Sequence, residues 1–204
     1  MIRNRKFVPI ALSLALAAVA LGLYVYTRAH AAPTYTLANG VEVTPITVQP
    51  DDASKLLEMK FWKLDVVQTD ASKPLFFNLS LCRNGKLTKS LTYTYGLGPS
   101  SRKPSRVHNH IPVTVGLVPV GDTFFGAKQL KYSLSTALVD TSGVIPNVFF
   151  KTRGFVSDTQ APYVSREGNL VFLLSANKNN PTTSDPMRND TTLALSIETP
   201  PIAH

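Results

Sequence analysis

Period-two alternation recurs along most of this chain, and it commits the chain to β-structure. Ile111, Val113, Val115 and Leu117 alternate with Pro112, Thr114, Gly116 and Val118. Leu130, Tyr132, Leu134, Thr136 and Leu138 alternate with Lys131, Ser133, Ser135 and Ala137. Leu193, Leu195 and Ile197 alternate with Ala194, Ser196 and Glu198. Successive strand side chains point to opposite faces, so each run predicts a strand with one face in a core and one toward water. Residues 170–174 are apolar without alternation and predict a central strand. Fifteen prolines, with few long Ala/Glu/Lys/Leu stretches, argue against helices. The expected fold is all-β: an antiparallel β-sandwich of about eight to nine strands, Ig-like or jelly-roll-like, preceded by an N-terminal hydrophobic helix.

Three segments carry local signals. Around Arg83-Asn84-Gly85 a three-residue loop would pair Leu81 with Leu87 and Phe77 with Leu91, and would separate apolar from polar faces. A two-residue Asn-Gly turn would mix them. The expectation is therefore a type I turn with a glycine bulge, with Cys82 on the polar face opposite Lys86. Residues 57–66 read as a strand with a phase slip at Phe61-Trp62, as a β-bulge would produce; a helix with Ser54 as cap is the competing reading. Residues 35–43 hold a small hairpin at Asn39-Gly40, with Pro45 and Pro50 following.

The first 31 residues speak to location. Arg3, Arg5 and Lys6 precede an apolar run over residues 7–26, interrupted only by Ser13, and no further charge appears before Arg28. Basic residues ahead of an apolar run keep the amino end cytoplasmic and send the rest across a membrane. Two outcomes follow. Cleavage after Ala29-His30-Ala31, which has the A-x-A form, would leave a periplasmic or secreted domain. Alternatively residues 7–26 stay as an inner-membrane anchor with the C-terminal domain outside. A spanning helix needs about 20 apolar residues, whereas export-signal cores run about 7–15, so the length favours the anchor. Residues 1–31 are thus an export signal or membrane anchor, and residues 32–204 a single extracytoplasmic β-sandwich domain.

The charge balance changes once that segment is set aside. It holds four basic residues and no acid, so 17 of the 21 Lys and Arg remain against 13 Asp and Glu. A surplus of four gives no support to a nucleic-acid partner. Cys82 is the only cysteine, so the domain has no internal disulfide and must be held by its core. The remaining 173 residues are ample for one.

The densest set of reactive side chains lies in residues 96–110, between two predicted strands: Arg102, Lys103, Arg106, His108 and His110. Three cations and two histidines suit an anionic group such as a phosphate or an acidic sugar, and these five are the candidate ligand-binding residues. A solvated loop is the plainer reading. His108 and His110 would point the same way on an extended segment, but no nearby carboxylate completes a metal site. Ser100-Ser101-Arg102-Lys103 has a Ser-x-x-Lys spacing, yet Pro99 and Pro104 bracket it where a helix would be needed. Asp185 and Asp190 with Asn177, Asn179 and Asn180 form an oxygen-rich loop, opposed as a calcium site by Lys178 and Arg188. Phe124-Phe125 is either an exposed aromatic pair or part of the core edge. No catalytic residue, metal or cofactor is assigned.

The expected role is binding or structural: a module in the cell envelope or at the surface that meets a protein or polysaccharide, touching the membrane through residues 7–26 if uncleaved. A hydrolytic enzyme using His108 or His110 is the alternative, as is a carbohydrate-binding accessory with Trp62, Tyr93 or Phe124 as platform.

Overall fold

The computed structural model describes residues 13, 15–23, 32–49, 51–70, 73–92, 109–136, 140–150, 156–165, 169–177 and 188–199; of 109 and 156–165 only the backbone is described. The chain divides into two compact units, Met1–Pro33 and Thr34–His204. In the first, Ser13 and residues 15–23 are helical, and Leu16, Val19, Leu21 and Leu23 are exposed. Among the described residues no helix is long and apolar enough to cross a membrane. Residues 7–12, 14 and 24–26 of the apolar run lie outside the described residues.

The second unit is mostly β-structure in two antiparallel sheets, consistent with a sandwich. Its strands are β1 (Tyr35–Thr36), β2 (Glu42–Ile46), β3 (Lys60–Gln68), β4 (Phe76–Arg83), β5 (Lys86–Ser90), β6 (Asn109–Pro119), β7 (Gln129–Thr136), β8 (Asp140–Pro146), β9 (Val156–Ser165), β10 (Leu170–Ala176) and β11 (Thr191–Glu198). Eleven strands are thus described where eight or nine were expected; β1 and β2 form the hairpin expected at Asn39-Gly40, while β8 and β9 coincide with no alternating run read from the sequence. One sheet runs β1-β2-β3-β6-β7-β8, the other β5-β4-β11-β10-β9. The inward residues of both sheets join one apolar cluster. Val43, Leu64, Val115 and Leu134 come from the first sheet, and Phe77, Leu79, Leu173 and Leu195 from the second.

The alternating runs at 111–117 and 130–134 bury the predicted face. The run at 193–197 departs from expectation: Ala194 and Ser196, assigned to water, are buried as fully as Leu193, Leu195 and Ile197. β11 lies between β4 and β10, and all three strands are covered on both faces. The outward side holds a second small cluster of Cys82, Leu170, Phe172 and Ala194. Cys82 is therefore an apolar-site residue rather than one on a polar face. Burial pushes its thiol pKa up to about 11.

The β4–β5 hairpin corrects the loop assignment. Asn84 and Gly85 have φ of 47° and 71°, so both central residues are left-handed, as a type I′ turn requires. Arg83 pairs with Lys86 and Cys82 with Leu87; a bulge then shifts the register so that Leu81 faces Lys89. The physical reason is that β5 is exposed along nearly its whole length. Matching Leu81 to Leu87 would bury little there, so the local preference of Asn-Gly sets the register. The three-residue geometry occurs instead at Ala38-Asn39-Gly40. There Leu37 N–H donates to Val41 O at 2.8 Å, Gly40 N–H donates to Leu37 O at 3.0 Å, and Gly40 has φ of 80°.

The 57–66 segment resolves into two elements. Asp51 caps a short helix, Asp52–Leu56, by accepting from Ser54 N–H at 2.8 Å and from the Ser54 hydroxyl. These bonds hold the Asp51 carboxyl below the usual carboxylate range. Leu57 ends the helix, Glu58 turns the chain with φ of 49°, and β3 begins at Lys60. The register between β3 and β6 is unbroken, so the phase slip marks a helix-to-strand junction and not a bulge.

Candidate functional site

β6 leaves the basic 96–110 segment at Asn109 and immediately presents His110. Ile111, Val113 and Val115 point into the core, so His110 stands on the outward face of the six-stranded sheet. It sits opposite Val67 on β3, and Asp65 lies two residues further along that strand on the same face. The diagonal brings His110 Nδ1 to 2.9 Å from Asp65 Oδ2. The ring is open to solvent, with 64% of its side chain exposed against 32% for Asp65.

This pairing fixes what the imidazole can do. With its proton on Nδ1 the ring donates to Asp65 and turns an accepting Nε2 away from the carboxylate. When doubly protonated it forms an ion pair and presents Nε2–H as a donor. Either form leaves Nε2 outside the carboxylate contact while Asp65 orients the ring. Thr44 pairs with Asp65 from β2, Pro112 pairs with it from β6, and Lys63 lies on the same face. Nearby, Phe61 faces Gly116: a Cβ at that glycine would lie 3.2 Å from the ring and 2.6 Å from Ser133 Oγ. The absent side chain is what lets the aromatic ring lie against the sheet.

Of the five candidate ligand residues, only His110 falls within the described residues; Arg102, Lys103, Arg106 and His108 lie outside them. Asp65 was not singled out from the sequence. Its signal is its place on the polar side of the alternating 63–66 run, but the partner depends on a β3–β6 register that one sequence does not supply. Among the described residues no group of three or more His, Cys, Asp or Glu is placed to hold a metal. Asn177 is buried and its side-chain oxygen accepts from Asp190 N–H at 2.8 Å, while Lys178, Asn179, Asn180 and Asp185 lie outside the described residues.

The aromatic candidates divide. Trp62 and Phe124 are core residues, so neither is a sugar platform, and Tyr93 lies outside the described residues. Phe124 stacks on Phe149 at 6.5 Å, and its exposed neighbour Phe125 meets it edge-on at 5.3 Å. No family model matches the chain, and neither curated proteins nor solved structures give a match.

Proposed function

We propose that this chain is an exported or membrane-tethered β-sandwich module that binds an anionic envelope component, polysaccharide or protein, through the outward face of the six-stranded sheet. What supports this reading most is the place of His110. It stands on an open sheet face, oriented by Asp65, at the foot of a segment carrying Arg102, Lys103 and Arg106. An open face adjoining a cation-rich segment of the sequence suits an extended ligand better than a small substrate held away from water. Residues 7–26 serve as anchor or export signal, which places the domain outside the cytoplasm. The relation to Ig-like or jelly-roll-like domains is one of layout, two packed antiparallel sheets, with six and five described strands.

The test is binding of the full chain to anionic and neutral polysaccharides and to fractionated envelope components by calorimetry. Binding to an anionic component that weakens in H110A and in the triple variant R102A/K103A/R106A is the expected result. Failure of every anionic component to bind sinks the proposal.

The Asp65–His110 contact favours a second reading, a hydrolase in which His110 Nε2 takes a proton from a nucleophile or water while Asp65 holds the ring. Turnover of ester or glycosidic substrates that H110A abolishes and D65N lowers would establish it.

A further inference from the structure

Five apolar side chains stay open to solvent around one end of the six-stranded sheet. Ile46 closes β2, Leu56 and Leu57 lie just before β3, and Val120 and Phe125 lie in the loop between β6 and β7. Their exposures run from 40% for Phe125 to 84% for Leu56. The antiparallel registers put these positions at the same end: Ile46 faces Lys63 near the start of β3, and Lys60 faces Leu117 near the end of β6. Glu58 ties the two loops together by accepting from Phe124 N–H, so Leu57 and Phe125 are each one residue from a shared hydrogen bond.

Followed back toward its amino end, the chain heads toward this end along the sheet edge. Thr34 meets Thr44 at 2.8 Å, and the antiparallel β1–β2 pairing then runs back toward Ile46 as the chain is followed toward residue 32. The apolar run ends at Tyr26, and the eight residues that follow reach at most about 28 Å. We infer that this end of the sandwich rests on a lipid surface, with Leu56, Leu57 and Phe125 entering the headgroup region. The inference deepens the tethered reading above and rests on it. Charge does not drive the contact. Among the described residues nearest this end the charges nearly balance: Lys55, Lys60, Lys63, Lys128 and Lys131 stand against Asp51, Asp52, Glu58 and Asp122. Burial of apolar surface carries it, so the contact is insensitive to salt.

The buried Cys82 thiol makes the test direct, because it does not compete for label at neutral pH. Full-length L56C and F125C, with A38C in the turn between β1 and β2 at the opposite end of the sheet as control, are labelled with an environment-sensitive fluorophore and reconstituted into vesicles. Unchanged far-UV dichroism confirms the fold. The expected result is blue-shifted emission, quenched by nitroxide lipids severalfold more at 56 and 125 than at 38, and unchanged by salt. A chain that resists alkaline extraction from the vesicles but shows equal, weak quenching at all three sites overturns the inference and leaves the tether intact. A chain released by alkaline extraction with no quenching overturns both. Emission already blue-shifted before lipid is present, and unresponsive to nitroxide, assigns this end to a protein contact and overturns the inference.

Discussion

Asn147 shows how much one side chain can carry in this fold. It is buried just after β8, donates to Phe124 O at 2.6 Å and Ala127 O at 2.8 Å, and accepts from Phe149 N–H at 2.9 Å. Asn147→Ala would leave two carbonyls and one N–H without partners in a dry site. At roughly 1–3 kcal/mol for each unsatisfied group, tempered by relaxation, a loss of about 2–5 kcal/mol in urea denaturation is expected. Cys82 gives a prediction of opposite character. Because burial favours the neutral thiol, the folded state keeps its proton where an unfolded chain has begun to lose it. Its contribution to stability is complete below pH 9 and declines as pH rises toward about 11, which alkaline denaturation series of wild type and Cys82→Ala will separate. In the native protein the thiol should react with a disulfide reagent only as fast as the site opens. At this scale the sequence was least legible. Asn147 is one of many asparagines in it, and Cys82 was placed on the wrong face because its surroundings come from β10 and β11, about 90 to 110 residues away.

The same limit takes another form in the elements. The strong alternations at 111–117 and 130–134 were readable because a buried face repeats every second residue, whatever strand lies beside it. The β4–β5 register was not, since cross-strand matching assumed a burial that the exposed β5 does not offer. Its turn is decided by backbone preference instead, and this can be measured. Gly85→Ala puts a Cβ on a residue with φ of 71°, and is expected to cost about 1 kcal/mol. Asn84→Gly keeps the left-handed pair and should be nearly neutral. If both variants lose the same stability, the type I′ assignment fails. The helix at Asp52–Leu56 starts earlier than the competing Ser54-capped reading places it, because its cap is Asp51 and Ser54 donates to that cap.

For the molecule as a whole, the two sheets are not equivalent. β4, β10 and β11 are buried on both faces, while β5 and β8 are edge strands with largely exposed side chains. Amide hydrogen exchange should therefore be slowest in β11 and fastest in β5 and β8; comparable protection in β8 and β11 would contradict this ordering. The two sheets are also stitched at one end. Asn39 donates from its side chain to Ile197 O at 2.8 Å and from its backbone to Asn169 Oδ1 at 3.0 Å. The two-sheet layout was legible as a class, because alternation fixes the kind of layer. Strand order was not, because β3 pairs with β6 and β4 with β11 across long stretches of chain.

The central place of β11 has a consequence for biogenesis. Its residues lie far along the chain, yet they fill the gap between β4, synthesised more than a hundred residues earlier, and β10. A ribosome-bound fragment that stops short of Thr191 leaves two open edges facing an empty slot, so the second sheet has no way to close before that strand arrives. Completion of the second sheet, and with it the covering of the core side of the first, therefore waits for the last strand to be made.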